Sequence, residues 1–137
     1  MFFKKGKSSD NIEDLVKVAA LLIHSAKIDE NYSDKEEAII KKTLLELGSP
    51  KENLEKLLEN AKKVESNSVQ ILDFTKEVKN MDNVDKIKII ETLWRIIYSN
   101  KDADIYETNL MRRLEGLLYI DSNVMGAIKD KIKNENK

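Results

Sequence analysis

Two polar stretches hold most of this chain's capacity for chemistry. The first reads Asp29-Glu30-Asn31-Tyr32-Ser33-Asp34-Lys35-Glu36, and the second Asn100-Lys101-Asp102-Ala103-Asp104-Ile105-Tyr106-Glu107. Asp29 aligns with Asn100, Asn31 with Asp102, Ser33 with Asp104 and Glu36 with Glu107, at a constant offset of 71 residues. Oxygen donors at alternate positions can curl round one hard cation, as in a calcium loop. The EF-hand form itself does not fit. Asp34 and Ile105 stand where that loop needs its glycine, Ile40 and Met111 stand where it needs its closing glutamate, and Glu36 and Glu107 arrive too early. A divalent cation of the calcium, magnesium or manganese type would need a shorter geometry or both loops together. Asp29, Glu36, Asp102, Asp104 and Glu107 are the donors expected for it.

The same residues have a second reading as helix caps. Ser33 with Glu36, and Asp104 with Glu107, have capping-box spacing. Carboxylates also favour helix N-termini because of the dipole. Capping accounts less well for Asp29, Asn31 and Asp102, which precede the caps.

Other chemistry is poorly supplied. With no cysteine, disulfides, thiolate zinc sites and cysteine nucleophiles are excluded, and a reducing compartment is the natural expectation. His24 is the single histidine, too few for a zinc site without other strong ligands. It reads as a helix-surface or partly packed residue. The formal net charge is −1, and arginine occurs only at 95, 112 and 113, so bidentate reading of phosphates or bases has little to work with. Paired carboxylates can act as acid and base. No nucleophile, anion cradle or histidine partner accompanies them at a recognisable spacing, so the chain is read as non-catalytic, with no nucleic acid and no evident small-molecule substrate.

The elements that must position the loops are helices. Four glycines and one proline argue against a loop-rich or β fold, and no apolar run is long enough to span a bilayer. Met1-Phe2-Phe3-Lys4-Lys5-Gly6-Lys7 lacks the apolar core of a signal peptide and is expected to be a flexible start, covering 1–9. Asp10 with Glu13 predicts the cap of a first helix carrying Leu15, Ala19, Leu22, Ile23 and Ala26 on one face, a central helix ending near Ile28. Ser33 opens a second helix that Gly48 closes. Ser49-Pro50-Lys51-Glu52 reads as cap, N1 proline and N3 glutamate of a third, shorter helix, followed by a polar linker from Glu65 to Ser68. A connector helix spans about 69–80. A fifth helix carries Ile87, Ile90, Leu93, Trp94 and Ile97, a sixth runs from Asp104, and a seventh follows Asp121-Ser122, with a fraying tail at 134–137. Trp94 is expected in the core. Tyr98 and Tyr106 either rim a binding surface or pack with their hydroxyls in water. Gly116 is expected to mark a close helix approach, and Arg112-Arg113 a solvated face.

The offset of the loops extends into the helices. It relates Val16 to Ile87, Leu22 to Leu93, Ala26 to Ile97, Ile39 to Leu110, Leu47 to Leu118, Leu54 to Met125 and Leu57 to Ile128. The expected architecture is therefore all-α: one domain over 10–133, with two pseudo-symmetric three-helix halves at about 10–64 and 81–133. At 137 residues the chain can bury roughly 70% of its unfolded surface without a staple.

Ile23-His24-Ser25-Ala26-Lys27-Ile28-Asp29 with Ser33 to Ile40, and Leu93 to Asn100 with Tyr106-Glu107 and Leu110 to Leu114, resemble the two halves of TerB-like proteins. The resemblance runs from about Asn11 to about Ile132 and extends to the N-terminal region of DjlA-type membrane co-chaperones. It implies an all-helical fold with two related halves, a bacterial stress-response or tellurite-resistance setting, a divalent-cation role for the loop acids, and a protein partner at the inner membrane surface. The alternative it leaves is a co-chaperone-like or membrane-complex adaptor that binds protein without metal. The implied location is cytoplasmic or peripheral to the membrane. Carried over residue by residue, the family's loop acids fall on Asp29, Glu36 and Glu107. The family's Asp-Gly pairs are here Asp29-Glu30 and Asn100-Lys101, so the second loop loses a carboxylate and gains a positive charge. There is no His-Pro-Asp tripeptide and hence no J-domain.

Overall fold

A computed structural model describes residues 8–27, 33–67, 72–99 and 105–135. Among them are seven α-helices and no strand: α1 (Ser8–Ala26), α2 (Asp34–Glu46), α3 (Leu54–Asn67), α4 (Leu72–Lys79), α5 (Asn83–Tyr98), α6 (Ile105–Leu117) and α7 (Ser122–Glu135). The protein is all-α, as the helical spacing of its apolar residues requires.

α1 is the hub. Val18, Ala19, Ala20, Leu21, Leu22 and Ile23 are all buried, so its middle is enclosed on every side rather than along one stripe. It packs against α2, α3, α4 and α5. In each half the first helix pairs most extensively with the third, α1 with α3 and α5 with α7. The halves meet through α1 against α5 and α2 against α5. At the second contact Thr92 Oγ1 donates to the Lys88 carbonyl at 2.8 Å and accepts from Thr43 Oγ1 at 2.7 Å, so both buried hydroxyls are satisfied.

The second helix of each half ends in the same way. Gly48 N–H donates to Leu45 O and Ser49 N–H to Leu44 O; Tyr119 N–H donates to Gly116 O and Ile120 N–H to Glu115 O. Both are Schellman closures, and both need a left-handed residue just beyond the helix. Gly48 has φ 113° and Tyr119 φ 57°.

Several local expectations are corrected. Asp10 does not open α1, whose helical backbone already begins at Ser8; acidic residues suit the first turn as well as the cap. Ser49 does not cap the next helix. Its N–H closes α2, its Oγ donates to Pro50 O, and extended Pro50 (ψ 139°) precedes a 3-10 turn over Lys51–Asn53 that leads into α3. α3 has 14 residues against 13 in α2, so it is not the shorter helix, and it runs to Asn67, which puts Glu65 inside it rather than in a linker. Among the described residues a Cβ placed on Gly116 would meet nothing within 4 Å, so none of the described helices approaches it closely. Trp94 is buried as expected. It stacks on Tyr98 at 5.8 Å, its Nε1–H donates to Met125 Sδ at 3.3 Å, and the Lys129 ammonium lies 5.5 Å from its ring. Tyr98 is itself buried, so it packs inward against Trp94. Arg112 and Arg113 are exposed. No helix among the described residues is long and apolar enough to cross a membrane.

Candidate functional site

The first junction is built by local chemistry at the start of α2. Ser33 adopts extended backbone (φ −98°, ψ 168°), which turns its hydroxyl back over the first turn. Its Oγ accepts from Glu36 N–H at 3.2 Å, while Glu36 Oε1 accepts from Ser33 N–H at 2.9 Å. This is a complete capping box, and it satisfies two of the donors a helix start leaves over. It also draws the carboxylate inward: Glu36 is only 1% exposed. Glu107, its counterpart in the first turn of α6, is 5% exposed. Both first-turn glutamates are thus buried acids, although glutamate is among the residues least often buried.

The two junctions are neighbours. Lys35 Nζ, in the first turn of α2, donates to the carbonyl of Ser99 at 3.1 Å, and Ser99 follows the last residue of α5. Residues leading out of the first loop therefore lie beside residues leading into the second. A further polar group sits just before the first loop. Ser25, in the last turn of α1, is 1% exposed, and its Oγ has no hydrogen-bond partner among the described residues.

Of the five predicted donors, Glu36 and Glu107 are therefore placed as buried carboxylates, while Asp29, Asp102 and Asp104 lie outside the described residues. Among the described residues no group of three or more histidine or acidic side chains is arranged to hold a metal ion.

One polar cluster was not foreseen. Glu65, in the last turns of α3, is 9% exposed; its Oε1 accepts from Lys27 Nζ at 2.6 Å and its Oε2 lies 3.3 Å from His24 Nδ1. His24 is partly packed, with its ring 6.4 Å from that of Phe74. The repeat offset contained the clue, because His24 corresponds to Arg95. Arg95 in turn reaches across to the end of α7, with Nε and Nη2 donating to the two Glu135 oxygens at 3.1 and 3.0 Å. In both halves, then, the last turns of the first helix carry a base that grips an acid near the end of the third. The hydrogen bonds to Arg95 hold the Glu135 carboxyl below the usual carboxylate range and raise the guanidinium further. A third acid, Asp85, is pushed upward, chiefly by its burial and secondly by the charge of Asp82.

The family model for tellurite resistance protein TerB matches residues 15–130, and the chain belongs to that family. No curated protein and no solved structure matches it.

Proposed function

We propose that this TerB-family domain is a non-catalytic binding module of the stress-response or tellurite-resistance type. In this reading its two helix junctions together hold one divalent cation of the calcium, magnesium or manganese class. The supporting observation is the Lys35–Ser99 hydrogen bond, which sets the two acid-bearing junctions side by side. The donors would be Asp29, Glu36, Asp102, Asp104 and Glu107. All are carboxylates, the donor type that hard cations prefer over histidine or thiolate sites. The orphaned hydroxyl of Ser25 is one more oxygen beside the first junction. The bound cation would neutralise carboxylates from both junctions and tie the two loops together for a partner.

The test is an amide NMR titration of chelator-treated protein with Ca²⁺, Mg²⁺, Mn²⁺ and Zn²⁺. Saturable shifts, or Mn²⁺ broadening, centred on 29–36 and 100–107 are expected, weakened in Asp29→Asn/Asp104→Asn with helicity unchanged. A flat response at millimolar metal would leave the junctions as helix caps only.

A second reading, a protein-binding adaptor without metal at a membrane complex, has its own observation. Val84, Tyr119 and Val124 are large exposed apolar residues in the second half, where the first half carries Glu13, Gly48 and Asn53. Partner capture that survives full chelation would favour this reading.

A further inference from the structure

The two halves carry different charges between their second and third helices. In the first half Lys41 of α2 has two acids beside it. Its Nζ is 2.8 Å from Glu55 Oε2 of α3 and 3.6 Å from Glu37 Oε2 on its own helix. The offset of 71 residues puts Arg112 at the place of Lys41, Gly126 at that of Glu55 and Thr108 at that of Glu37. The cation is kept and both acids are replaced. Among the described residues Arg112 forms no ion pair.

A cavity of about 170 Å³ opens at this place, between α6 and α7, with Thr108, Arg112 and Gly126 in its wall. Trp94, Met111 and Met125 give it an apolar floor. Lys129 adds a second cation, 5.5 Å from the Trp94 ring, where the first half has the buried Leu58. The acid in the lining is Glu115, which accepts from the Ser122 hydroxyl. Neither backbone nor packing calls for glycine at 126. It lies inside α7, where glycine weakens a helix, and its φ is not positive. Among the described residues a Cβ there would meet nothing within 4 Å. What the missing side chain does is keep the hollow beside Arg112 open.

We propose that this hollow receives a glutamate side chain from a partner protein. Its carboxylate takes the place beside Arg112 that Glu55 takes beside Lys41. The planar guanidinium can meet a carboxylate with two parallel hydrogen bonds, and the Lys129 ammonium adds attraction. The thioether and indole surfaces of the floor suit the glutamate methylenes. Size selects a single side chain over a whole metabolite, since small-molecule pockets run from about 300 Å³ upward. The hollow uses none of the junction acids, so its occupancy does not depend on a cation there.

The test is an NMR titration of chelator-treated, ¹⁵N-labelled protein with a capped alanine peptide bearing one central glutamate. Saturable shifts are expected at the Trp94 indole N–H, the Arg112 Nε–H and the Gly126 amide. The glutamine version of the peptide should bind about tenfold more weakly, as should the glutamate peptide to Arg112→Gln. Gly126→Glu, which restores the acid of the first half, should abolish the response, and Glu115→Gln should strengthen it. Arg112 is exposed, so its replacement leaves the fold intact, which circular dichroism would verify. An equal response to the glutamine peptide, or an undiminished one in Arg112→Gln, would overturn the proposal. Shifts produced by glutarate but not by the peptide would overturn it in favour of a free carboxylate. Shifts of the same signals on diluting the protein alone would make a second copy the occupant and overturn it too.

Discussion

Gly48 and Tyr119 occupy the same place in the two halves, and both hold left-handed backbone, at φ 113° and 57°. Each lets the following residue's N–H reach back to close the second helix of its half. The cost is unequal. Glycine adopts such conformations freely, whereas an L side chain in this region costs about 1–2 kcal/mol. Gly48→Ala is therefore expected to destabilise the protein by about 1–2 kcal/mol, read as a lower urea midpoint with unchanged slope. Tyr119→Gly should stay within about 1 kcal/mol of the parent, because relief of strain is offset by a freer unfolded chain and by loss of the Lys79 ammonium 5.3 Å from the ring.

The pair also shows what could be read in the sequence and what could not. Features made by residues close in the chain were legible: the Ser33–Glu36 box, the Gly48 terminator, and the three-four spacing that marks helices. Features that depend on competition were not. Ser49 has the look of a cap, but its N–H is already committed to closing α2, and Pro50 holds extended backbone until Lys51. Glu65 looked like linker because its partners, His24 and Lys27, lie about 40 residues away and only packing of α1 on α3 brings them together. For the candidate site, the acids and their offset were visible from spacing alone. The burial of Glu36 and Glu107 was not, since burial depends on what packs over a helix start.

The Glu65 cluster should respond unequally to loss of its members. The Lys27 side chain is 46% exposed and His24 38%, so both can be hydrated without the carboxylate, whereas Glu65 is 9% exposed. Removing the lysine strands a buried charge; removing the acid does not. Lys27→Met is thus expected to cost about 1–2 kcal/mol and Glu65→Met less than about 1 kcal/mol. Chemical denaturation of both variants checks the order, and the reverse order would contradict this account.

Arg95–Glu135 gives a pH prediction with a definite sign. The folded Glu135 carboxyl lies below its unfolded value, so it favours the folded state at neutral pH, and this advantage is lost as pH falls through the folded value. Both side chains are more than a third exposed, which limits the pair to about 0.5–1 kcal/mol. Glu135→Gln should show that deficit at pH 7, shrinking as the medium is acidified below the normal carboxylate range. Denaturation at stepped pH and low salt would measure it.

Ser25 offers the opposite kind of change. A buried hydroxyl with no partner among the described residues loses its hydration and regains nothing, so Ser25→Ala is expected to stabilise the metal-free protein by about 1 kcal/mol. A higher thermal midpoint would bear this out; a lower one would show the hydroxyl to be engaged.

Glu36 separates the two roles assigned to the junctions. As a cap, its Oε1 accepts from the Ser33 N–H, and a glutamine can do the same. As a cation ligand it supplies charge, which glutamine cannot. Glu36→Gln should therefore keep stability within about 0.5 kcal/mol of the parent while weakening Mn²⁺ or Ca²⁺ binding about tenfold, the equivalent of roughly 1.4 kcal/mol. Ser33→Ala should behave in reverse, losing about 1 kcal/mol of stability with little change in cation affinity. Lys35 supplies a third arm. Its ammonium sits between the junctions and repels any cation held there, so Lys35→Met should tighten binding several-fold, in line with about 1 kcal/mol for two unit charges at 4 Å in water. Calorimetric titration of all three variants, each paired with a denaturation curve, separates the roles. Should Glu36→Gln and Lys35→Met leave the cation response unchanged, the buried glutamates are caps and the metal lies elsewhere or is absent.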